Sequence, residues 1–263
     1  MARRMQRGRC GGCGGPGGGA VSRASIAPGR RSIAGLAWLA RVGASPLEPW
    51  GLVMGWGRAV GYDHARRLAA AGLVRTVPMT RGEGSLVVIT AKGAMMAGCP
   101  ASRARRAIAP TTWAHHCACA WVSAWLAVRG RAWWSEREIA EDEWWRYDVH
   151  YQDRRGTARV THRPDLGVET GSGPVAIEVE LQRKVRARLV GILRMYEEHS
   201  QDDGTLAGVI YVCDRDDVED AVRRAADDAW LEAPTLNFCT MNDVVEQTRA
   251  AAGVRREARQ PVA

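Results

Sequence analysis

From Arg31 onward the apolar positions Ile33, Leu36, Ala37 and Ala40 recur at the i, i+3, i+4, i+7 spacing of one helical face. A short apolar piece, PLEPWGLVMGW, follows. The stretch GYDHARRLAAAGLV then predicts a helix with Tyr62, Ala65, Leu68 and Ala69 on one face, His64 and Arg67 outward, and Gly72 as its stop. Two strand-like runs, VRTVPM and SLVVITA, flank the glycine-containing loop TRGEG, so the order is helix, helix, helix, hairpin. The segment CPASRARRAIAP is basic and lies between prolines, which marks residues 101–111 as a linker.

A helix is predicted from Thr112 to Val128, with Trp121, Trp125 and its cysteines on a core-facing stripe; Trp144 and Trp145 are expected to cover the core. Beyond it, Leu166 and Val168 alternate on one strand and VAIEVEL forms a second, joined through ETGSG. A helix over residues 183–199, the near-continuous apolar strand LAGVIYVCD, an acidic helix, the strand TLNFCTM and a terminal helix complete an α/β domain over residues 112–253.

Composition narrows the function classes. The chain of 263 residues is long enough for two domains, and 46% apolar with 25% charged residues fits a globular protein. No apolar stretch reaches the ~18 residues of a membrane span, and the N-terminus lacks a signal-type apolar segment, so no membrane partner is expected. Seven scattered cysteines fit a reducing cytoplasm rather than a disulfide framework. Residues 1–29, rich in Gly and Arg, are expected to be a disordered tail in which Cys10 and Cys13 are incidental, and residues 254–263 are expected to fray.

Charge is unevenly distributed. Residues 1–107 hold 17 basic and 3 acidic side chains, whereas residues 108–263 hold 20 and 26. A basic N-terminal region attracts phosphate backbones through counterion release. Among the 37 basic residues only Lys92 and Lys184 are lysines.

The strand VAIEVEL raises a physical question. Alternation puts Ala176, Glu178 and Glu180 on one face and Val175, Ile177, Val179 and Leu181 on the other, with Asp165 within reach if the two strands form a hairpin. Clustered carboxylates destabilise a fold unless something positive sits among them, and a divalent cation with hard oxygen ligands, Mg2+ or Mn2+, is one remedy. An edge strand with glutamates facing water is the alternative. Lys184 follows Glu180 by four residues, where the chain turns into the next helix, and its compact ammonium suits orienting a water. His115 and Cys119 share the i, i+4 spacing that permits a shared metal, but packing is the simpler reading for a lone pair.

Pro164-Asp165, followed by Glu178 and Glu180, resembles the PD-(D/E)XK nuclease superfamily, except that Glu180 stands where that pattern has lysine and Lys184 is the candidate for a migrated one. More narrowly, RPDLGVETGSGPVAIEVELQRKVRARLVGILRMYEEH with LAGVIYVCD is similar to the replication-relaxation family of actinobacterial plasmids and mobile elements. That resemblance implies a winged-helix DNA-binding domain over residues 30–100 and a restriction-endonuclease-like α/β domain after it.

The implied activity is metal-dependent DNA nicking. Asp165 and Glu178 would hold Mg2+ or Mn2+, Glu180 would assist, and Lys184 would orient the attacking water. Glu136 or Glu138 would be an additional acid. The third helix, with His64 and Arg67, would enter the major groove of double-stranded DNA, and Arg75, Arg81 and Lys92 would touch phosphates. Other replication or mobilisation proteins are further implied partners. A DNA-binding accessory protein with a degenerate nuclease-like domain, or a winged helix that docks protein, are the competing expectations.

Overall fold

The computed structural model describes residues 28–79, 84–105, 107–153, 156–201, 205–231 and 235–257. The tail with Cys10 and Cys13, Arg81 and residues 258–263 lie outside them. The described chain is a mixed α/β structure.

The N-terminal part packs α1 (Arg30–Val42), α2 (Leu47–Met54) and α3 (Arg58–Ala70) against a three-stranded antiparallel sheet. That sheet orders β1 (Ala44–Pro46), β3 (Ser85–Ile89) and β2 (Val74–Pro78), with β3 central and paired to both neighbours. The predicted hairpin is therefore present, and β1 is a third strand that three residues ending in proline did not advertise. A short helix α4 (Ala91–Met96) follows, capped by the Thr90 hydroxyl, which accepts from the Gly93 amide. Gly93 is required there, because a Cβ would stand 1.9 Å from the Leu73 carbonyl oxygen.

Residues 101–105 lie against the rest of the molecule: Arg137 donates to the carbonyls of Ser102 and Arg103, and the Arg105 guanidinium meets the ring of His116. The helix α5 (Trp113–Val128) comes next and is buried along most of its length, from Ala118 to Val128. A single apolar cluster extends from Leu36, Trp38 and Trp50 through Val122 and Leu126 of α5 to Ile177, Val179 and Val212 of the large sheet. Ion pairs tie the same parts together, Arg41 to Glu138 at 2.8 Å and Arg249 to Glu48 at 2.8 Å.

The large sheet has the order β10 (Leu236–Thr240), β9 (Gly208–Cys213), β8 (Gly173–Glu180), β7 (Leu166–Thr170) and β4 (Trp133–Trp134). Strands β8, β9 and β10 are parallel, whereas β7 runs antiparallel to both β8 and β4. Parallel neighbours need long crossovers. These are α7 (Arg186–Gln201) and α8 (Asp216–Ala229), and α9 (Met241–Glu257) closes the described chain. Between β4 and β7 the chain forms α6 (Glu136–Glu141) and a separate hairpin, β5 (Tyr147–Asp153) with β6 (Gly156–His162).

The two faces of the large sheet have different covers. Ile177, Val179 and Val212 share a cluster with α5 and α9, while Ala176, Val209 and Tyr211 share one with α7, α8 and β5. The hairpin lies close on α7 because position 191 is glycine: a Cβ there would meet the His150 carbonyl oxygen at 2.8 Å. That close seat carries the end of β6, and with it His162, to the carboxylate-bearing face of β8.

Candidate active site and nucleic-acid interface

Strands β7 and β8 pair across Gly171 and Ser172 with Leu166 opposite Ile177, so the predicted hairpin register places Asp165 at the strand end beside Glu178 and Val179. The Val179 amide donates to Asp165 Oδ2 at 2.8 Å. Glu178 and Glu180 emerge on one face, as the alternation requires, yet neither faces water: they are 1% and 4% exposed. The edge-strand alternative fails because β9 pairs on the far side of β8 and α7 crosses over this face.

Three groups satisfy Glu178. His162 Nε2 donates to its Oε1 at 2.7 Å, the Tyr196 hydroxyl of α7 donates to the same oxygen, and Lys184 Nζ stands 3.6 Å from Oε2. Lys184 lies two residues before α7 rather than inside its first turn, and reaches back to pair with Glu180 Oε1. Burial pulls the Glu178 carboxyl upward, but His162, Lys184 and Tyr196 outweigh it and hold the group at about 2. Glu180 ends at about 7, because burial and the charges of Glu178 and Asp165 exceed what Lys184 returns. Partial burial pulls the Lys184 ammonium down, but the two glutamates raise it above the ordinary lysine value. The corner thus keeps more negative charge than its fixed cation neutralises. Tyr211 pairs with Glu178 in register and so shares its face, and its buried hydroxyl has no hydrogen-bond partner among the described residues.

Asp165 also reaches across the strand end to α5. Its Oδ1 is 3.1 Å from His115 Nε2, which is 3.4 Å from Cys119 Sγ. This pairing raises the His115 imidazole above its ordinary value despite burial. Beside it His116 is depressed to about 4 by burial and by the Arg105 charge. Glu136 approaches His116 Nδ1 at 3.9 Å and Arg105 at 3.7 Å. Glu138, by contrast, is committed to the capping box of α6 and to Arg41.

Sequence reasoning singled out Asp165, Glu178, Glu180 and Lys184, and the structure gathers them at one strand end. It missed His162 and Tyr196. The signal for His162 was faint: it directly precedes the Arg163-Pro164-Asp165 run, but nothing local says that β6 folds back over α7.

The N-terminal residues divide differently. The buried stripe of α3 is Gly61, Ala65 and Leu68: Ala65 and Leu68 lie on it as expected, with Gly61 in the place given to Tyr62. Tyr62 is therefore 56% exposed, under the Arg58 guanidinium at 5.9 Å. His64 lies at the edge of the stripe rather than outward, where it stacks on Trp56 with ring centroids 4.2 Å apart, and burial lowers its pKa. Arg66 and Arg67 are exposed and both pair with Asp63, at 2.8 and 3.1 Å. Lys92 Nζ donates to the Ala71 carbonyl at 2.9 Å, and Arg75 to the Arg105 carbonyl at 3.2 Å.

No helix among the described residues is long and apolar enough to cross a membrane. No protein-family model matches the chain, and no curated protein matches it. Among solved structures, protein VC1899 from Vibrio cholerae is similar with a TM-score of 0.32 and 11% identity, the match covering 86% of this chain. The chain spans 57% of the length of that protein, a likeness too slight to carry fold or activity across.

Proposed function

We propose that the chain is a double-stranded-DNA-binding protein of plasmid or mobile-element replication and relaxation, with a metal-dependent nicking site at the C-terminal end of β8. The observation that carries the reading is the convergence of Asp165, Glu178, Glu180 and Lys184, with carboxylate charge left in excess. The order helix, strand, helix, helix, hairpin over residues 30–89 suits a winged helix. The order α5, β4, β7, β8, α7, β9, with α6 and the β5–β6 hairpin inserted between β4 and β7, suits a PD-(D/E)XK-like domain.

The donor set fits Mg2+ or Mn2+. Its oxygens are hard, Glu180 is driven up to about 7 by burial and by its carboxylate neighbours, and the Tyr211 hydroxyl on the same face has no hydrogen-bond partner among the described residues. Asp165 and Glu178 would hold the ion. When bound, it would polarise a phosphoryl oxygen and acidify a water. Lys184 orients the attacking water, while Glu180, titrating near neutrality, takes its proton.

On α3 the exposed Arg58, Tyr62, Arg66 and Arg67 form a basic face with an aromatic in it, suited to phosphates flanking a groove. In this reading Arg67 keeps its DNA role, while His64 positions the helix through Trp56.

A second reading, an accessory DNA-binding protein without chemistry, is favoured by one observation. Both donors to Glu178 Oε1 are protein groups, and its Oε2 faces Lys184, which leaves the cluster partly compensated without metal.

DNA binding is common to both readings and is tested by salt-dependent gel shift of the full chain on duplex DNA. Replacing Arg66 and Arg67 together with Gln should weaken affinity by about tenfold and reduce the salt slope by about two. Unchanged affinity and slope would remove α3 from the interface.

A further inference from the structure

We propose that His115, Cys119 and Asp165 form a site for a zinc-type transition-metal ion, which shares Asp165 with the carboxylate corner but differs from it in ligand chemistry and does not rest on whether the protein cleaves DNA. Four-residue spacing on α5 stacks His115 and Cys119 on one face, and the entry to β7 brings Asp165 to them. One atom, His115 Nε2, faces both partners, at 3.4 Å from Cys119 Sγ and 3.1 Å from Asp165 Oδ1, and the three ligand atoms all lie within 4.8 Å of one another.

Zinc bonds of about 2.0–2.3 Å place neighbouring ligand atoms of a tetrahedron about 3.3–3.6 Å apart, which the two His115 contacts approach already, so that closing the triangle on an ion falls to the Cys119–Asp165 side. A mixed sulfur, nitrogen and oxygen set selects zinc or cobalt over magnesium.

The surroundings fit the same ion. Asp165 Oδ2 is held by the Val179 amide, which fixes the carboxylate and leaves Oδ1 for the metal. The side chains of His115 and Asp165 are 34% and 21% exposed, so solvent reaches the open side of the triangle, while Cys119 closes the buried side. Burial, then the charges of Asp165, Glu136 and Glu178, keep the metal-free thiol protonated. Those same charges favour a cation, and the thiol proton leaves when one binds. Without an ion, His115 Nε2 donates to Asp165 Oδ1 with Cys119 Sγ in contact beside it, which is the arrangement the experiment must exclude as their sole role.

The test is titration of the full chain with Co2+, followed by absorption spectroscopy. One equivalent should produce a sulfur-to-cobalt charge-transfer band together with the visible bands of a tetrahedral site. Cys119→Ala should abolish the charge-transfer band. The Cys10→Ser/Cys13→Ser double variant and Glu178→Gln should keep it, the latter showing that the site does not depend on Glu178.

His115→Gln, which leaves the thiol in place, should weaken Co2+ affinity by about tenfold or more. It provides a second reading should Cys119→Ala fold poorly by circular dichroism. Absence of the band in the wild type, its survival in Cys119→Ala, unchanged affinity in His115→Gln, or its loss in the Cys10/Cys13 variant would each overturn the proposal.

Discussion

The arginine pairs of α3 and the carboxylate cluster of β8 use the same charges in opposite ways. Arg66 and Asp63 are 80% and 45% exposed at 2.8 Å, whereas His162 and Glu178 are 8% and 2% exposed at 2.7 Å. Exposed pairs of this kind contribute little to stability, because water solvates each partner nearly as well alone. Buried partners have no such alternative. Loss of one leaves the other desolvated, so the second cluster is bound to the fold as well as to any chemistry it performs. Charge on α3 can therefore be read for ligand binding with little regard to stability, while charge on β8 must be tested for both.

The largest effect expected from this contrast is on His162→Leu, which strips one donor from Glu178 and should cost about 3–5 kcal/mol in urea unfolding. A cost below about 1 kcal/mol would mean that Tyr196 and Lys184 suffice, and the contrast would weaken.

An intermediate effect concerns pH. The Glu180 carboxyl is raised on folding, from 4.5 to about 7, so its contribution is fully present below pH 4.5 and is lost as pH rises through about 7. Glu178 has the opposite sign: held at about 2, it contributes above pH 4.5 and loses that contribution as pH falls toward 2. Between these limits Glu180→Gln should flatten the stability profile, removing a decline on the order of 1–3 kcal/mol between pH 4.5 and 7. A profile as steep as that of the wild type would assign the decline to another group.

The smallest effect belongs to the Arg66 and Arg67 variants already expected to lose DNA affinity, whose unfolding free energy should move by no more than about 0.5 kcal/mol. A larger change would make α3 a structural element first.

How much of this was legible in the sequence follows the same division of local from distant. The β7–β8 hairpin could be read because period-two alternation and the ETGSG turn are both local, and they fixed which carboxylates share a face. Helices α5, α7 and α8 were visible in their apolar periodicity. Strand β4 has two residues and β1 has three, too few to show any period. The β5–β6 hairpin is half-exposed and weakly apolar, so its landing on α7, and hence the meeting of His162 with Glu178, depends on contacts between residues far apart in the chain.

His115 and Cys119 were noticed but read as packing, because their partner Asp165 lies beyond α6 and the hairpin. Ala65 and Leu68 of α3 were read correctly, whereas Tyr62 was placed on the stripe and His64 outward because the stripe begins at Gly61, a residue that carries no hydrophobic signal.

The central claim, that the β8 corner nicks DNA, is tested most directly by incubating wild type, Asp165→Asn and Glu178→Gln with supercoiled plasmid in Mg2+ or Mn2+ and measuring conversion to open circles. Nicking by the wild type and at least about a hundredfold less by both variants, with duplex affinity retained, is the predicted result. No nicking by any of the three, or equal nicking by all three, would contradict it.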